Sequence, residues 1–449
     1  MASFLRELTT WLRRLAPDAH FVGGCVRDCL LGIAPESLRD FDLVLPGDPW
    51  PAARRLARAL GGSAFRLHEE ERIVRIVLAA TDDRSLRRQV DLAATRGTLA
   101  DDLRARDFTI NAMAIPVAAD LCSERAIVDP LGGRRDLAER RLRFCSPEAP
   151  LADPLRTLRG IRFCHQLRFA LEPETARQLR AAAPRLGTVA RERIRDEFFL
   201  LLETSTAPDG LRDLERYDLW PHVVAEPPAV EPSARALSAW LATSQRWRSD
   251  PTLGPPIVRY LEESISEPRG RELLLRWAAC LWPTLGSPAD LAAADRRGRH
   301  LRLSGREITF VRHALAAATE ALELAQRWPV SPRERLRFFR RARDAGPGAI
   351  LLAASVADAP AWPPLLQEAF HRLEQSLAPL VTGRDVMRLL GLKPGPWIGR
   401  LLDAVEEERA DGRLTTREEA LDWLRRVGPA LARAAGAPLP PDPPPGDSA

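Results

Sequence analysis

Asp40 and Asp42 stand one residue apart in Arg39-Asp40-Phe41-Asp42-Leu43-Val44-Leu45, an apolar run with strand character. Alternate residues of a strand project to the same face, which would set the two carboxylates side by side. Such a pair can hold two Mg²⁺ ions about 3.5–4 Å apart, one activating a hydroxyl and one carrying a triphosphate. Taken alone, an acid–x–acid triplet is equally a feature of loops and helix caps. The preceding run, Gly23-Gly24-Cys25-Val26-Arg27-Asp28, shifts that balance. Glycines admit phosphate oxygens close to backbone N–H groups, and Arg27 offers a bidentate guanidinium fork. A tight turn feeding a helix explains the glycines too, but not the acidic strand that follows. Phosphate-holding backbone next to two metal-binding acids is what nucleotidyl transfer requires.

Three further segments carry polar groups at useful spacings. Asp91, in Val90-Asp91-Leu92, lies on another β-like run. It would complete a carboxylate triad if that run lies beside the Asp40 strand, and is otherwise a surface acid. Arg106, Asp107 and Asn111 lie close together in Arg104–Met113, suited to a ribose and its triphosphate or simply to a capped helix start. In Ala152-Asp153-Pro154-Leu155-Arg156-Thr157-Leu158-Arg159-Gly160-Ile161-Arg162, Asp153 and Arg156 are three apart and share a helical face. One acceptor and one donor fork can read the edge of a base; an i,i+3 salt bridge on a surface helix is the plainer alternative.

The elements that must position these groups change character along the chain. Strand-like runs fall at Asp42–Leu45, Ile73–Ala79 and Gln89–Leu92, with helical spacing over Ala52–Leu60. From about Leu151 strand signals nearly vanish. Helical segments follow, broken at Ala207–Gly210, Glu226–Pro228, Pro283–Pro288, Pro329–Pro332 and Ala345–Gly348. Phe4, Leu5, Leu8, Trp11, Leu12 and Leu15 predict an amphipathic first helix rather than a signal peptide. The proline-rich Ala437–Ala449 is expected to be disordered.

Composition sets outer limits. A chain of 449 residues implies two to four domains, and no apolar run approaches the roughly 20 residues of a membrane helix. Six scattered cysteines form no CxxC pair, and seven histidines form no HExxH, which argues against zinc knuckles, disulfide frameworks and histidine-rich metal sites. The net charge is +5, yet Arg134–Glu197 alone holds 15 Arg against 9 Asp and Glu, a local +6. A cationic excess in a balanced chain suits a polyanionic partner, although solvated helix faces share it. Lys393 is the sole lysine.

In their order these segments closely resemble the class II tRNA nucleotidyltransferase and bacterial poly(A) polymerase family of the polymerase-β-like nucleotidyltransferase superfamily. The matching stretches are Gly23–Gly32 with Asp40-Phe41-Asp42, Arg106–Ala112, Asp129–Gly133, Asp153–Arg156 with Arg159 and Arg162-Phe163, and Glu192-Arg193 with Glu197. A weaker match at Val381–Asp385, Gly391–Pro396 and Gly412–Thr416 looks like the family's RNA-binding tail.

The resemblance implies an α+β protein with a polymerase-β-like nucleotidyltransferase head followed by an all-helical neck, body and tail. The expected bounds are 1–145, 146–205, 206–375 and 376–436. It implies Asp40 and Asp42 as metal ligands for two Mg²⁺ ions; Asp91, if its strand lies beside theirs, is the further catalytic candidate. Gly23, Gly24 and Arg27 would hold the triphosphate, and Arg106, Asp107 and Asn111 the incoming nucleotide. Asp153 and Arg156 would pair with the edge of CTP or ATP, supported by Arg159 and Arg162 and braced by Glu192, Arg193 and Glu197. The implied activity is addition of CC or CCA to a tRNA 3′ end in the cytoplasm, with no membrane or protein partner. Poly(A) synthesis and a non-catalytic RNA-binding role are the alternatives. Two departures concern single positions: Ala152 replaces a usual glutamate, and Ala105 an arginine. The third is length, since only 14 residues separate Asp91 from Arg106, a shortening typical of relatives that add only CC.

Overall fold

The apolar stripe of the first fifteen residues forms helix α1 (Ser3–Leu15) in the computed structural model of the chain. The structure describes residues 3–68, 72–78, 88–284, 288–374 and 378–437, so the tail expected to be disordered lies outside it beyond residue 437. The chain divides into two compact units, Met1–Pro227 with His300–Arg302, and Pro228–Arg299 with Leu303–Ala449. No helix among the described residues is long and apolar enough to cross a membrane.

The first unit is built on a six-stranded mixed sheet. Its strands are β1 (His20–Val22), β2 (Asp40–Leu45), β3 (Gly62–His68), β4 (Ile73–Leu78), β5 (Gln89–Ala94) and β6 (Ala114–Pro116), in the order β3-β4-β5-β2-β1-β6. Strand β2 runs parallel to β5 and antiparallel to β1. The expected strands β2, β4 and β5 are present, the described part of the second ending at Leu78. Strands β1, β3 and β6 carried no recognisable pattern. The first and last have three residues each, and Gly62-Ser63-Ala64 is extended because it pairs with β4.

Register decides which side chains share a face. Phe41 pairs with Val90 and Leu43 with Leu92, while Ile76 faces Val90 and Phe21 faces Leu43. This apolar face is covered by α1, whose Phe4 ring lies 5.8 Å from that of Phe41, and by α3 (Trp50–Ala59), which packs on α1, β3 and β4. On the opposite face Arg75, Asp91, Asp42 and Val22 form one row across β4, β5, β2 and β1.

Short helices α2 (Gly24–Leu30), α4 (Leu99–Arg104), α5 (Gly133–Ala138) and α6 (Ala149–Ala152) complete the head, with β7 (Arg141–Leu142) pairing β8 (Ala170–Leu171). Helices α7 (Leu155–Leu167), α8 (Pro173–Ala182), α9 (Arg191–Glu203), α10 (Ala207–Arg216) and α11 (Trp220–Val223) follow. Phe108 joins the two parts: fully buried, it stacks on Phe144 at 5.0 Å and meets Phe163 of α7 edge-on at 5.6 Å.

The second unit is helical, from α12 (Val230–Arg248), α13 (Gly254–Glu262), α14 (Arg271–Leu281), α15 (Pro288–His300), α16 (Gly305–Gln326) and α17 (Pro332–Ala342) to α18 (Gly346–Ala354), α19 (Trp362–Glu374), α20 (Gly383–Leu390), α21 (Pro396–Ala410) and α22 (Arg417–Ala434). One two-stranded ribbon, Ser264–Ser266 with Arg269–Gly270, interrupts it. Trp240, Trp247 and Trp277 are all buried in its core rather than displayed. Two expected breaks are helix starts instead: Pro208 sits in the first turn of α10 and Pro347 in that of α18. Proline lacks an N–H, but that donor is unused at the first turn, so it starts a helix as readily as it stops one.

Gly133 shows how closely the head is packed around the 109–111 turn. A Cβ there would lie 2.2 Å from the Thr109 carbonyl oxygen. We expect Gly133→Ala to lower stability by roughly 1–3 kcal/mol through this overlap, measured by urea denaturation, and to disturb Asn111 with it. Unchanged stability would show that the turn yields freely.

Candidate active site

Gly23 ends β1 and caps α2 with a positive φ of 74°, a conformation that glycine adopts without steric cost. A side chain there is excluded twice over. Its Cβ would stand 3.1 Å from Asp42 Oδ2 and 3.2 Å from Arg106 Nη1. The glycine turn, the acidic strand and Arg106 thus meet at one point.

Asp40 and Asp42 share a sheet face, Asp40 exposed and Asp42 half-buried. Burial raises the Asp42 pKa to about 6, against the opposing pull of Arg106 and with Asp91 and Asp40 adding to the rise. Asp40 is also raised, by the partial loss of water around its carboxyl and by Asp91, against a hydrogen bond with Gln89. Among the described residues no hydrogen bond is donated to the Asp42 carboxylate. Two neighbouring carboxylates, one of them held above its usual range by burial and by the other acids, are a donor set that fits a hard divalent ion. Asp91 lies next to Asp42 in register, which meets the condition for a carboxylate triad. Its oxygens, however, are taken by Arg75, with Nε at 2.8 Å and Nη2 at 2.7 Å.

From Arg27 a continuous chain of polar contacts runs through the site. Arg27 Nη1 donates to Asn111 Oδ1 at 2.8 Å, and Asn111 Nδ2 to Asp107 Oδ1 at 3.1 Å. Asp107 Oδ2 receives Arg159 Nη2 at 2.9 Å; Arg159 also reaches Glu197 at 3.4 Å. Glu197 then accepts from Arg162 Nε at 2.6 Å, and Arg162 donates to Gln166. Burial pushes the Asp107 carboxyl up, but Arg159, Asn111, the Phe108 amide and Arg156 outweigh it and hold it below its ordinary value. Arg162 is lowered by burial despite Glu197.

Asp153 and Arg156 do not form the i,i+3 salt bridge. Asp153 is extended between α6 and α7, where its Oδ1 accepts from the Leu155 amide at 3.2 Å and its Oδ2 pairs with Arg193 at 2.7 Å. Arg156 instead donates to the backbone carbonyls of Ala105 at 2.9 Å and Arg106 at 3.1 Å. Of the three residues expected to brace α7, Arg193 and Glu197 touch the site, whereas Glu192 lies 3.7 Å from Arg302.

A cavity of about 770 Å³ unites these groups. Gly23, Gly24, Arg27, Asp40, Asp42, Arg106, Asp107, Asn111, Asp153, Arg156, Arg159 and Arg162 all line it; Asp91 does not. Asp28, Asp102, Phe163 and Gln166 line it as well. Of the groups that sequence reading left out, Asp102 meets Arg106 at 3.4 Å, and Arg75 engages Asp91. Only the alternation Ile73-Val74-Arg75-Ile76 hinted that Arg75 faces away from the apolar side.

Three family descriptions match the chain: Poly A polymerase head domain over residues 19–143, "Probable RNA and SrmB-binding site of polymerase A" over 168–231, and tRNA nucleotidyltransferase domain 2 over 275–424. An A-adding tRNA nucleotidyltransferase of Deinococcus radiodurans is 33% identical, across 91% of this chain and 95% of its own length. A CC-adding tRNA nucleotidyltransferase of Thermus thermophilus is 32% identical, across 94% and 96%. In structure the chain is similar to a CCA-adding enzyme in complex with ATP, with a TM-score of 0.69 at 22% identity over 95% of both chains. The Thermotoga maritima CCA-adding enzyme complexed with tRNA gives 0.63 at 23% over 94% of both.

The raised pKa of Asp42 carries a stability consequence. Between about pH 4 and 6 the folded chain holds a proton that the unfolded chain has released, so stability falls as pH rises through this window. Asp42→Asn should therefore stabilise the metal-free protein at pH 7–8 by about 1–2 kcal/mol, after discounting for residual solvation. The gain should disappear below about pH 4, where both forms are neutral. Thermal melts of both proteins across this range in chelator test it, and an equal difference at every pH would contradict it.

Proposed function

The chain belongs to the tRNA nucleotidyltransferase family, and from that membership we propose that it extends tRNA 3′ ends, adding CC or CCA from CTP and ATP without a nucleic-acid template. Nucleotidyltransferases of this family work with divalent metal. We further propose that Asp40 and Asp42 would hold two Mg²⁺ ions here, whose role when bound is to stabilise charge on the attacking and leaving oxygens.

The reading rests on one observation: a single cavity holds both the paired acids and the Asp153/Arg156 pair. The RNA 3′-hydroxyl gives up its proton to solvent, its oxygen bonds to the α-phosphorus while the bond from that phosphorus to the α,β-bridging oxygen breaks, and pyrophosphate leaves. Arg27 and the backbone at Gly23-Gly24, which line the cavity, would hold the triphosphate. Arg106, whose Nε has no hydrogen-bond partner among the described residues, would contribute its guanidinium to the same group. Arg156 is clamped on two backbone carbonyls and Asp153 on Arg193. Groups already fixed in this way lose little entropy when a base edge docks, which favours discrimination between cytosine and adenine. The helical remainder would grip the acceptor arm through arginine contacts to phosphate, within a cytoplasmic protein.

The short 92–105 segment supports a reaction that stops at CC. The similarity to an A-adding relative carries a second reading, in which this chain supplies only the final A.

Incubation with tRNAs ending before the first C, after one C and after two, with labelled CTP or ATP and Mg²⁺, decides between them. Incorporation of neither nucleotide into any acceptor would refute the proposal, and long A tails on generic RNA would favour poly(A) synthesis. Asp40→Asn should reduce incorporation by at least a hundredfold without unfolding the chain. Asp153→Ala should raise misincorporation more than it weakens tRNA binding. Equal loss with every nucleotide would count against its role in base choice.

A further inference from the structure

Arginine is used in two different ways on the helices of this protein. Helix α17 has five arginines beyond its first turn's end or within it that all meet acids: Arg333 and Arg337 on Glu407, Arg335 on Glu368, Arg340 on Asp403 and Arg341 on Glu320. Helix α3 carries three arginines in ten residues and differs. Residues 49–68 contain Arg54, Arg55, Arg58 and Arg66 and no acid; Asp48, just before them, accepts from the Trp50 amide at 3.0 Å, and Glu69–Glu71 follow. Among the described residues none of the four pairs with a carboxylate.

Beside these arginines lie two partly buried tryptophans. Trp11 and Leu15 of α1, Trp50, and Arg54, Arg55 and Arg58 line a cavity of about 600 Å³. Arg66 lies 5.1 Å and Arg54 6.0 Å from the Trp50 ring centre, and Arg14 lies 5.7 Å from that of Trp11. Glu7, the one acid of α1, does not line the cavity.

We propose that this face binds a single-stranded segment of RNA. Indole faces stack on bases whatever their sequence, and the guanidinium groups that lie over those rings would turn to the phosphates when a base takes their place. The charge complementarity is one-sided: the lining offers only cations and apolar surface. Because α1 and α3 cover the face of the sheet opposite the one that carries Asp42 and Asp91, this is a second RNA-binding surface, separate from the cavity where the 3′ end would react. It would hold a different stretch of the same RNA, and it does not depend on which nucleotide the enzyme adds.

The test uses the full chain and a labelled oligouridylate with a blocked 3′ end, titrated over a range of KCl concentrations in chelator. Replacing Arg54, Arg55 and Arg58 together by alanine should lower the slope of log affinity against log salt by about 2, from three lost phosphate contacts on a single strand. Trp50→Ala should weaken binding roughly tenfold. With 4-thiouridine in the RNA, crosslinks should map to the peptides holding Trp11 and Trp50. Nucleotide incorporation on a minimal acceptor should persist in the triple variant, so loss of this surface and loss of the addition chemistry are read separately. An unchanged slope and affinity, with melting curves confirming that the variants are folded, would mean that the arginines only shield the seam between α1 and α3. Displacement of the RNA by polyglutamate or anionic vesicles at equal charge concentration would assign the face to an acidic protein or a membrane and overturn the proposal.

Discussion

Asp42 is placed where a carboxylate is least comfortable, half-buried, beside two other acids, and without a hydrogen-bond donor among the described residues. The rest of the head follows from keeping it there. Gly23 must lack a side chain because Asp42 Oδ2 and Arg106 occupy the space. The parallel pairing of β2 with β5 sets Asp91 next to it, and Arg75 across the antiparallel β4–β5 pair takes up the charge of Asp91. A cluster of like charges in a confined site is costly unless cations offset it. Arg75 and Arg106 offset part of the cost, and the remainder leaves a site that favours a cation.

The second requirement is that this acidic strand and helix α7 stay in fixed relation. Apolar packing supplies part of it through Phe108, Phe144 and Phe163. The polar chain from Arg27 through Asn111, Asp107, Arg159 and Glu197 to Arg162 supplies the rest. Paired buried charges of this kind add little net stability, yet breaking one partner leaves an uncompensated charge and costs several kcal/mol. Such a chain therefore fixes one arrangement against its alternatives more than it strengthens the fold. Asp153 and Arg156 are held by the same logic, each engaged by a group outside the pair.

Helix starts and salt bridges show where reading from the chain alone was weakest. Pro208 and Pro347 signal a stop or a start with the same residue, and the choice depends on whether the downstream face has something to pack against. Asp153 and Arg156 have the spacing of an intrahelical pair, but helix α7 begins after Asp153, so the geometry that spacing assumed does not exist there. Asp91 does lie beside the acidic strand, the condition on which a triad depended. That Arg75 would hold it was out of reach, because the two are 16 residues apart and meet only through strand register.

The sequence by itself determined the identity and order of the polar groups, the strand that carries the two acids, and the mostly helical character of the described residues beyond about 150. These are local properties: alternation, glycine pairs and helical periodicity act over a few neighbouring residues. Only the tertiary structure decided that twelve of those groups share one cavity, that Asp91 stands outside it bound to Arg75, and which arginines are matched by acids. Those outcomes depend on pairing and packing between distant segments, and the energy of such contacts is not written in any one of them.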